Sequence, residues 1–77
     1  MLKELLEYLI RSIVDEPDAI EVREITGEKA LVFEIKVAES DIGKVIGKHG
    51  RIINAIRTVV RAAAVKEGKK VSIELIG

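Results

Sequence analysis

Apolar residues repeat along this chain with two different periods, one helical and one extended. Near the start they recur at steps of three and four with charged residues between them, which predicts an amphipathic helix over residues 2 to 14. Pro17 should end this helix, because proline disfavours a helical conformation in the residue before it. The apolar stripe comprises Leu2, Leu5, Leu6, Leu9, Ile10 and Ile13.

The next two segments alternate with a period of two, as half-buried strands do. In the first, the alternation is regular at Ile20 and Val22 but slips before Ile25, so we expect a bulge or an early strand end there. Residues 27 to 29 have the sequence Gly-Glu-Lys and predict a turn, so the two strands should form an antiparallel hairpin. The second strand places four apolar residues on one face: Leu31, Phe33, Ile35 and Val37.

The second half of the chain predicts a short helix, a long helix and a final strand. Ser40 is a candidate N-cap for the short helix, and Asp41 would complement its dipole. Gly43 lowers helix propensity, and we interpret it as a packing allowance for the neighbouring helix. The long helix should run over residues 51 to 65, with Gly68 placed to terminate it. The last strand alternates through Val71, Ile73 and Leu75.

The predicted order is therefore helix, strand, strand, helix, helix, strand. This order indicates an α+β fold in which three helices cover one face of a three-stranded sheet. A chain of 77 residues is too short to bury two separate cores, so residues 1–77 should form a single domain.

The two predicted helices of the second half are joined by Gly47-Lys48-His49-Gly50. Both glycines can adopt backbone conformations that a side chain would penalise, and both let another backbone approach closely. The two residues between them offer positive or hydrogen-bonding groups to a phosphate, next to the anion-favouring N-terminus of a helix. A bare Gly-x-x-Gly occurs by chance in roughly a third of chains this long, so the motif alone has little weight.

The full string Ile-Gly-Lys-His-Gly-Arg-Ile-Ile, set between two helical patterns, resembles the signature of the KH domain. The element order resembles the type II KH topology, and size and pattern are most similar to the small single-domain bacterial KH proteins of the KhpA group. The resemblance implies binding of single-stranded RNA, or single-stranded DNA, by a loop that clamps the backbone of about four nucleotides. It assigns backbone contacts to Gly47, Lys48, His49 and Gly50, and a groove for the bases to Ile42, Val45, Ile46 and Ile53.

The charges of this chain are unevenly distributed although the formal net charge is zero. Residues 1 to 39 hold five basic and ten acidic groups, whereas residues 40 to 77 hold eight and three. Such a chain can present a basic face to a polyanion. We expect Lys44, Lys48 and Arg51 to assist the loop electrostatically, while Arg57 and Arg61 either extend this surface or are simply solvated.

Several classes of site are disfavoured by composition. There is no cysteine, no phosphate-loop pattern and no serine with a paired base nearby in sequence, so we expect no catalysis and no cofactor. The single histidine, His49, cannot belong to a histidine metal cluster, and a protonated imidazole at this position would favour contact with phosphate. Only Tyr8 and Phe33 are aromatic, which argues against recognition by stacking on several exposed rings.

The expected partners are RNA and other proteins. No apolar run reaches membrane-spanning length, and no signal peptide is present, so we expect a cytoplasmic protein. The resemblance implies an RNA chaperone or post-transcriptional regulator that homodimerises and pairs with a larger RNA-binding partner of the KhpB (Jag-like) type. The alternative is a protein-interaction module whose helical surface binds a partner instead of nucleic acid, since small domains often gain stability by oligomerising.

Overall fold

The computed structural model describes residues 1–77. The α+β class and the predicted order of elements are confirmed. None of the helices combines the length and the apolar character needed to cross a membrane. The helices are α1 (Leu2–Arg11), α2 (Ile42–Ile46) and α3 (Arg51–Lys66), and the strands are β1 (Glu21–Thr26), β2 (Ala30–Lys36) and β3 (Lys70–Ile76). Short 3-10 turns lie at Pro17–Ala19, Glu39–Asp41 and Lys48–Gly50.

The three strands form one mixed sheet in the order β1-β2-β3. The β1–β2 hairpin is antiparallel as predicted, whereas β2 and β3 run parallel. In the shared register Ile35 lies between Val22 and Leu75, and the next row on the same side centres on Phe33. Parallel pairing requires a crossover between the two strands, and α2 and α3 supply it.

The core lies between the helices and one face of this sheet. The alternation in β2 directs Phe33 and Ile35 inward, where both are completely buried. Helix α1 contributes Leu6 and Ile10 to the same core, and α3 contributes Val60. Burying each of these large apolar side chains stabilises the fold by about 1.5–3 kcal/mol. The opposite side of the sheet, called the open face below, carries the intervening residues, which are half-buried in β2 and exposed in β3.

The apparent slip in the first strand is not a bulge. Strand β1 pairs with β2 without interruption from Glu21 opposite Lys36 to Thr26 opposite Leu31, so the expected bulge or early end is wrong. Directly opposed residues share a face of the sheet. Because Ile25 is opposite Val32, its side chain lies on the open face, where it is 42% exposed.

The first helix ends earlier than predicted, whereas the long helix is terminated at Gly68 as predicted. Helix α1 ends at Arg11, earlier than residue 14, and the Ser12 hydroxyl donates to the Tyr8 carbonyl at 2.8 Å. Pro17 begins a 3-10 turn further on. At the end of α3, Gly68 has φ +69° as expected of a terminating glycine. The Gly68 and Lys69 N–H groups donate to carbonyls of the last turn at 3.0 and 3.1 Å, which is a Schellman motif.

The start of α2 is organised by Asp41 and not by Ser40. The Ser40 hydroxyl donates to the Glu16 carboxylate at 3.3 Å, so its prediction as an N-cap is wrong. Asp41 occupies the N-cap position but makes no capping bond, and it is completely buried. Its carboxylate accepts the backbone N–H groups of Asp15 and Glu16 at 3.1 and 3.0 Å. These charge-assisted bonds fasten the segment after α1 to the beginning of α2.

Candidate nucleic-acid interface

The link between α2 and α3 is a fixed turn. Gly47, His49 and Gly50 all have positive φ, at +75°, +58° and +73°. Gly47 donates to the Gly43 carbonyl at 2.9 Å, and Gly50 donates to the Gly47 carbonyl at 3.1 Å. A Cβ atom on Gly47 would lie 2.6 Å from Cγ1 of Ile52, so the position excludes any side chain.

Two backbone donors of this turn remain free. The Lys48 and His49 N–H groups make no hydrogen bond within the chain, and both residues are exposed. Their side chains, and that of the adjacent Arg51, are exposed and take part in no ion pair. Free donors beside the first turn of a sixteen-residue helix, together with nearby cationic side chains, suit a phosphate.

An apolar groove of about 380 Å³ opens between α2, α3 and the edge of β3. Its isoleucines come from both helices, and Leu75 from β3 forms the other side. Ile46 remains 39% exposed although it is a large aliphatic residue, so the groove offers apolar surface to a ligand. The full lining is Ile42, Ile46, Ile53, Arg57, Leu75 and Gly77.

Arg57 holds the two sides of this groove together. Its Nε and Nη2 atoms donate to the Ile73 carbonyl at 3.3 and 3.1 Å, and Nη1 donates to Oδ1 of Asn54 at 3.1 Å. Strand β3 pairs only with β2, so these bonds satisfy a carbonyl on its outer edge. This role of Arg57 was not predicted from the sequence. The only local signal was that Arg57 follows the groove residue Ile53 by four positions, which places both on one side of a helix.

The structure brings together three of the four residues predicted to form an apolar wall. Ile42, Ile46 and Ile53 all line the groove. Val45 does not, because it is completely buried and faces the core. The prediction for Val45 is therefore wrong, since a side chain with no exposed surface cannot contact a base.

Lys44 lies near the groove but is already paired. Its Nζ atom forms an ion pair with the Asp15 carboxylate, and both side chains are substantially exposed. The hydrogen bond to Asp15 raises the pKa of Lys44, and the negative charges of Asp15 and Asp41 add to the effect. The positive charge that was expected to assist the loop is thus partly neutralised in the absence of a ligand.

The chain contains no cluster of histidine, aspartate or glutamate side chains able to hold a metal ion. The cationic loop and the apolar groove adjoin where Ile46 precedes Gly47, so one ligand can contact both. Together they match an extended molecule with a charged backbone and flat, apolar groups.

Comparison with known proteins gives a consistent result over nearly the whole chain. The family described as "KhpA/KhpB, KH domain" matches residues 3–75. RNA-binding protein KhpA of Clostridium acetobutylicum is 57% identical over 75 residues, which cover 97% of this chain and 100% of that protein. RNA-binding protein KhpA of Borreliella burgdorferi is 42% identical over 73 residues, covering 95% of this chain and 89% of that protein.

A solved structure shows the same fold inside a larger protein. The crystal structure of Era in complex with MgGDPNP and nucleotides 1506–1542 of 16S ribosomal RNA superposes with a TM-score of 0.66 and 26% sequence identity. The match covers 96% of this chain but only 28% of the Era chain. The similarity therefore concerns one part of that protein.

The geometry of the turn predicts opposite effects of alanine at two nearby glycines. Gly47→Ala should lower the free energy of unfolding by at least about 2 kcal/mol, because the backbone conformation is unfavourable and the Cβ would meet Ile52. This corresponds to a melting temperature about 10 °C lower, measurable by circular dichroism.

Gly43→Ala is the matched control. A Cβ on Gly43 would meet no atom within 4 Å, which also shows that the interpretation of Gly43 as a packing allowance is wrong. Alanine there should leave stability unchanged or raise it by up to about 1 kcal/mol. Equal stability of the two variants would contradict the account of the turn.

Proposed function

The chain belongs to the KhpA/KhpB family of KH domains, and from this premise we propose that it is a non-catalytic, cytoplasmic protein that binds single-stranded RNA. The observation that carries the proposal is the position of two free backbone donors at one end of an apolar groove. The relatives that carry the name RNA-binding protein KhpA support RNA as the ligand.

In the proposed complex, the turn holds the RNA backbone and the groove holds the bases. Lys48 and His49 offer their free N–H groups and side chains to phosphates, and Gly47 and Gly50 present no side chain between phosphate and backbone. Arg51 adds positive charge at a helix N-terminus, where a bound anion relieves an unfavourable interaction with the helix dipole.

The bases lie on the isoleucines of the groove, namely Ile42, Ile46 and Ile53. Aliphatic contacts distinguish bases weakly, so sequence preference is modest. A site for about four nucleotides binds weakly by itself, which suits an RNA chaperone or a post-transcriptional regulator that must release its target.

The first test replaces the two charged residues of the turn. The double variant Lys48→Asp, His49→Asp should lose binding to a mixed-sequence single-stranded RNA, measured by fluorescence anisotropy at two salt concentrations. Aspartate tolerates the left-handed conformation of residue 49, so the turn keeps its shape. Wild-type affinity should fall as salt rises, because phosphate contacts release counterions.

The double variant Arg11→Asp, Ala62→Asp is the control. It makes the same change of charge, but on exposed residues of α1 and α3 that do not line the groove. It should bind nearly as wild type does. Equal binding by the test variant and wild type would refute the clamp by the turn.

A second prediction concerns the ion pair of Lys44. Asp15→Asn should raise RNA affinity about two- to fivefold at low salt, because the ammonium group becomes available to a phosphate and one nearby negative charge disappears. Asp18→Asn makes the same charge change on the neighbouring 3-10 turn, where Asp18 contacts no cation, and should have a smaller effect. Identical effects of the two variants would show that only net charge matters.

Exposed apolar side chains on the helical layer favour a second candidate function, binding to another protein. Tyr8 on α1 is 67% exposed and Val59 on α3 is 46% exposed, and these two helices pack against each other. We propose that this surface, and not the groove, forms a homodimer or contacts a larger KhpB (Jag-like) partner. Two linked RNA sites would then gain affinity through their effective concentration.

Light scattering over a dilution series tests self-association. Wild type should dissociate from dimer to monomer on dilution, and Val59→Asp should remain a monomer, since a charge in an apolar interface is unpaired. A wild-type monomer at every concentration would contradict the homodimer.

A further inference from the structure

A second cavity lies along the same edge of the molecule as the groove. It has a volume of about 330 Å³ and lies between α3 and the first half of β3. We call it the basic pocket, and its lining is Arg61, Val65, Lys69, Lys70, Val71 and Ser72. Half of these residues are cationic, and no carboxylate contributes to the lining.

The cations of the basic pocket have no partner within the chain. The ion pairs of the molecule involve Met1, Arg23 and Lys44 as cationic groups, so Arg61, Lys69 and Lys70 are unpaired. All three are exposed. Three like charges gathered around one concave surface repel each other, and a bound anion would relieve that repulsion.

The basic pocket follows the groove along the same two elements, α3 and β3. Arg57 lines the groove, and Arg61 follows one helical turn later, about 6 Å further along the same side of α3. Strand β3 runs beside both cavities, with Leu75 in the groove and Val71 in the basic pocket. Between them, the Ile73 carbonyl holds Arg57. A nucleic-acid strand that leaves the groove along this edge therefore meets cationic side chains, and no carboxylate lines the pocket that it enters.

Resting on the proposed RNA-binding function, we propose that the basic pocket binds phosphates of nucleotides that flank, on one side only, those held in the groove. The contacts are to phosphate and not to bases, because the pocket has no aromatic ring for stacking and its lysines act as point charges. Arg61 adds a planar fork that matches phosphate oxygens. The RNA footprint is thus longer than the groove alone provides.

The test uses RNA ligands that add phosphates without adding bases. A tetranucleotide is compared with the same tetranucleotide extended on either its 5′ or its 3′ side by four abasic nucleotides. Because the extension carries no bases, the four bases can occupy the groove in only one register. Binding is followed by anisotropy and by amide chemical shifts of the ¹⁵N-labelled protein. One flank only should raise affinity, on the order of tenfold at low salt, and should shift the amides of Lys69 and Lys70.

Two triple variants separate the pocket from general charge. The variant with Arg61→Gln, Lys69→Gln and Lys70→Gln should keep the affinity for the tetranucleotide but lose the gain from the flank. For the flanked ligand, the slope of log affinity against log salt concentration should be shallower than that of wild type by about two. The control changes Lys3, Arg11 and Lys66 to glutamine, removes the same charge, and touches neither cavity. It should keep the gain.

Each other outcome is decisive. If both flanks or neither raise affinity while the tetranucleotide still binds, the basic pocket does not hold flanking phosphates and the proposed function stands. If an oligoglutamate peptide shifts the Lys69 and Lys70 amides and the flanked RNA does not, the pocket belongs to an acidic protein segment and the inference is overturned. If wild type binds no RNA of any length, the proposed function fails and the inference fails with it.

Discussion

The apolar side of the central strand is the constraint on which the rest of the structure depends. Phe33 and Ile35 have no exposed surface, and the sheet offers only this one face to the helices. The two long helices cover it, so the short α2 lies at the rim, where α3 begins and β3 ends. The groove lies between α2, α3 and β3, each of which packs its other side against the core. Because those elements are fixed by the core, a ligand finds its site already formed and spends little binding energy on ordering it.

The edge of the molecule is also arranged electrostatically. The Arg57 guanidinium in the groove donates to a strand carbonyl, and the Lys44 ammonium group on α2 is paired with Asp15, so both cations are engaged within the chain. The cations without a partner lie beyond the two ends of the groove, with Lys48 in the turn at one end and Arg61 in the basic pocket at the other. An extended polyanion is therefore attracted at its ends more than in the middle, where apolar contact dominates.

Local patterns predicted what depends on local physics. The element order, the buried face of the second strand and the unusual glycines at 47–50 follow from periodicity and from backbone freedom, which neighbours in sequence determine. Contacts between distant segments were not predictable. The role of Asp41 depends on N–H groups 25 and 26 residues away, and that of Arg57 on a carbonyl in the last strand. Val45 was misplaced because α2 has only five residues, too few for periodicity to separate its inner from its outer side. Ile25 was misinterpreted because an apolar residue on an open sheet face breaks the alternation as a bulge would.

The parallel pairing of β2 with β3 has a kinetic consequence. Residues 37 to 69 form the crossover between these strands and contain the glycine turn. The groove beside this turn is therefore complete only when the distant strand β3 has paired with β2. Such pairings form late and slowly in folding. When β3 detaches, Leu75 leaves the groove and the partner of Arg57 is lost in the same event. The lifetime of a ligand in the groove is thereby linked to the opening rate of β3. The bound ligand in turn protects β3 from fraying.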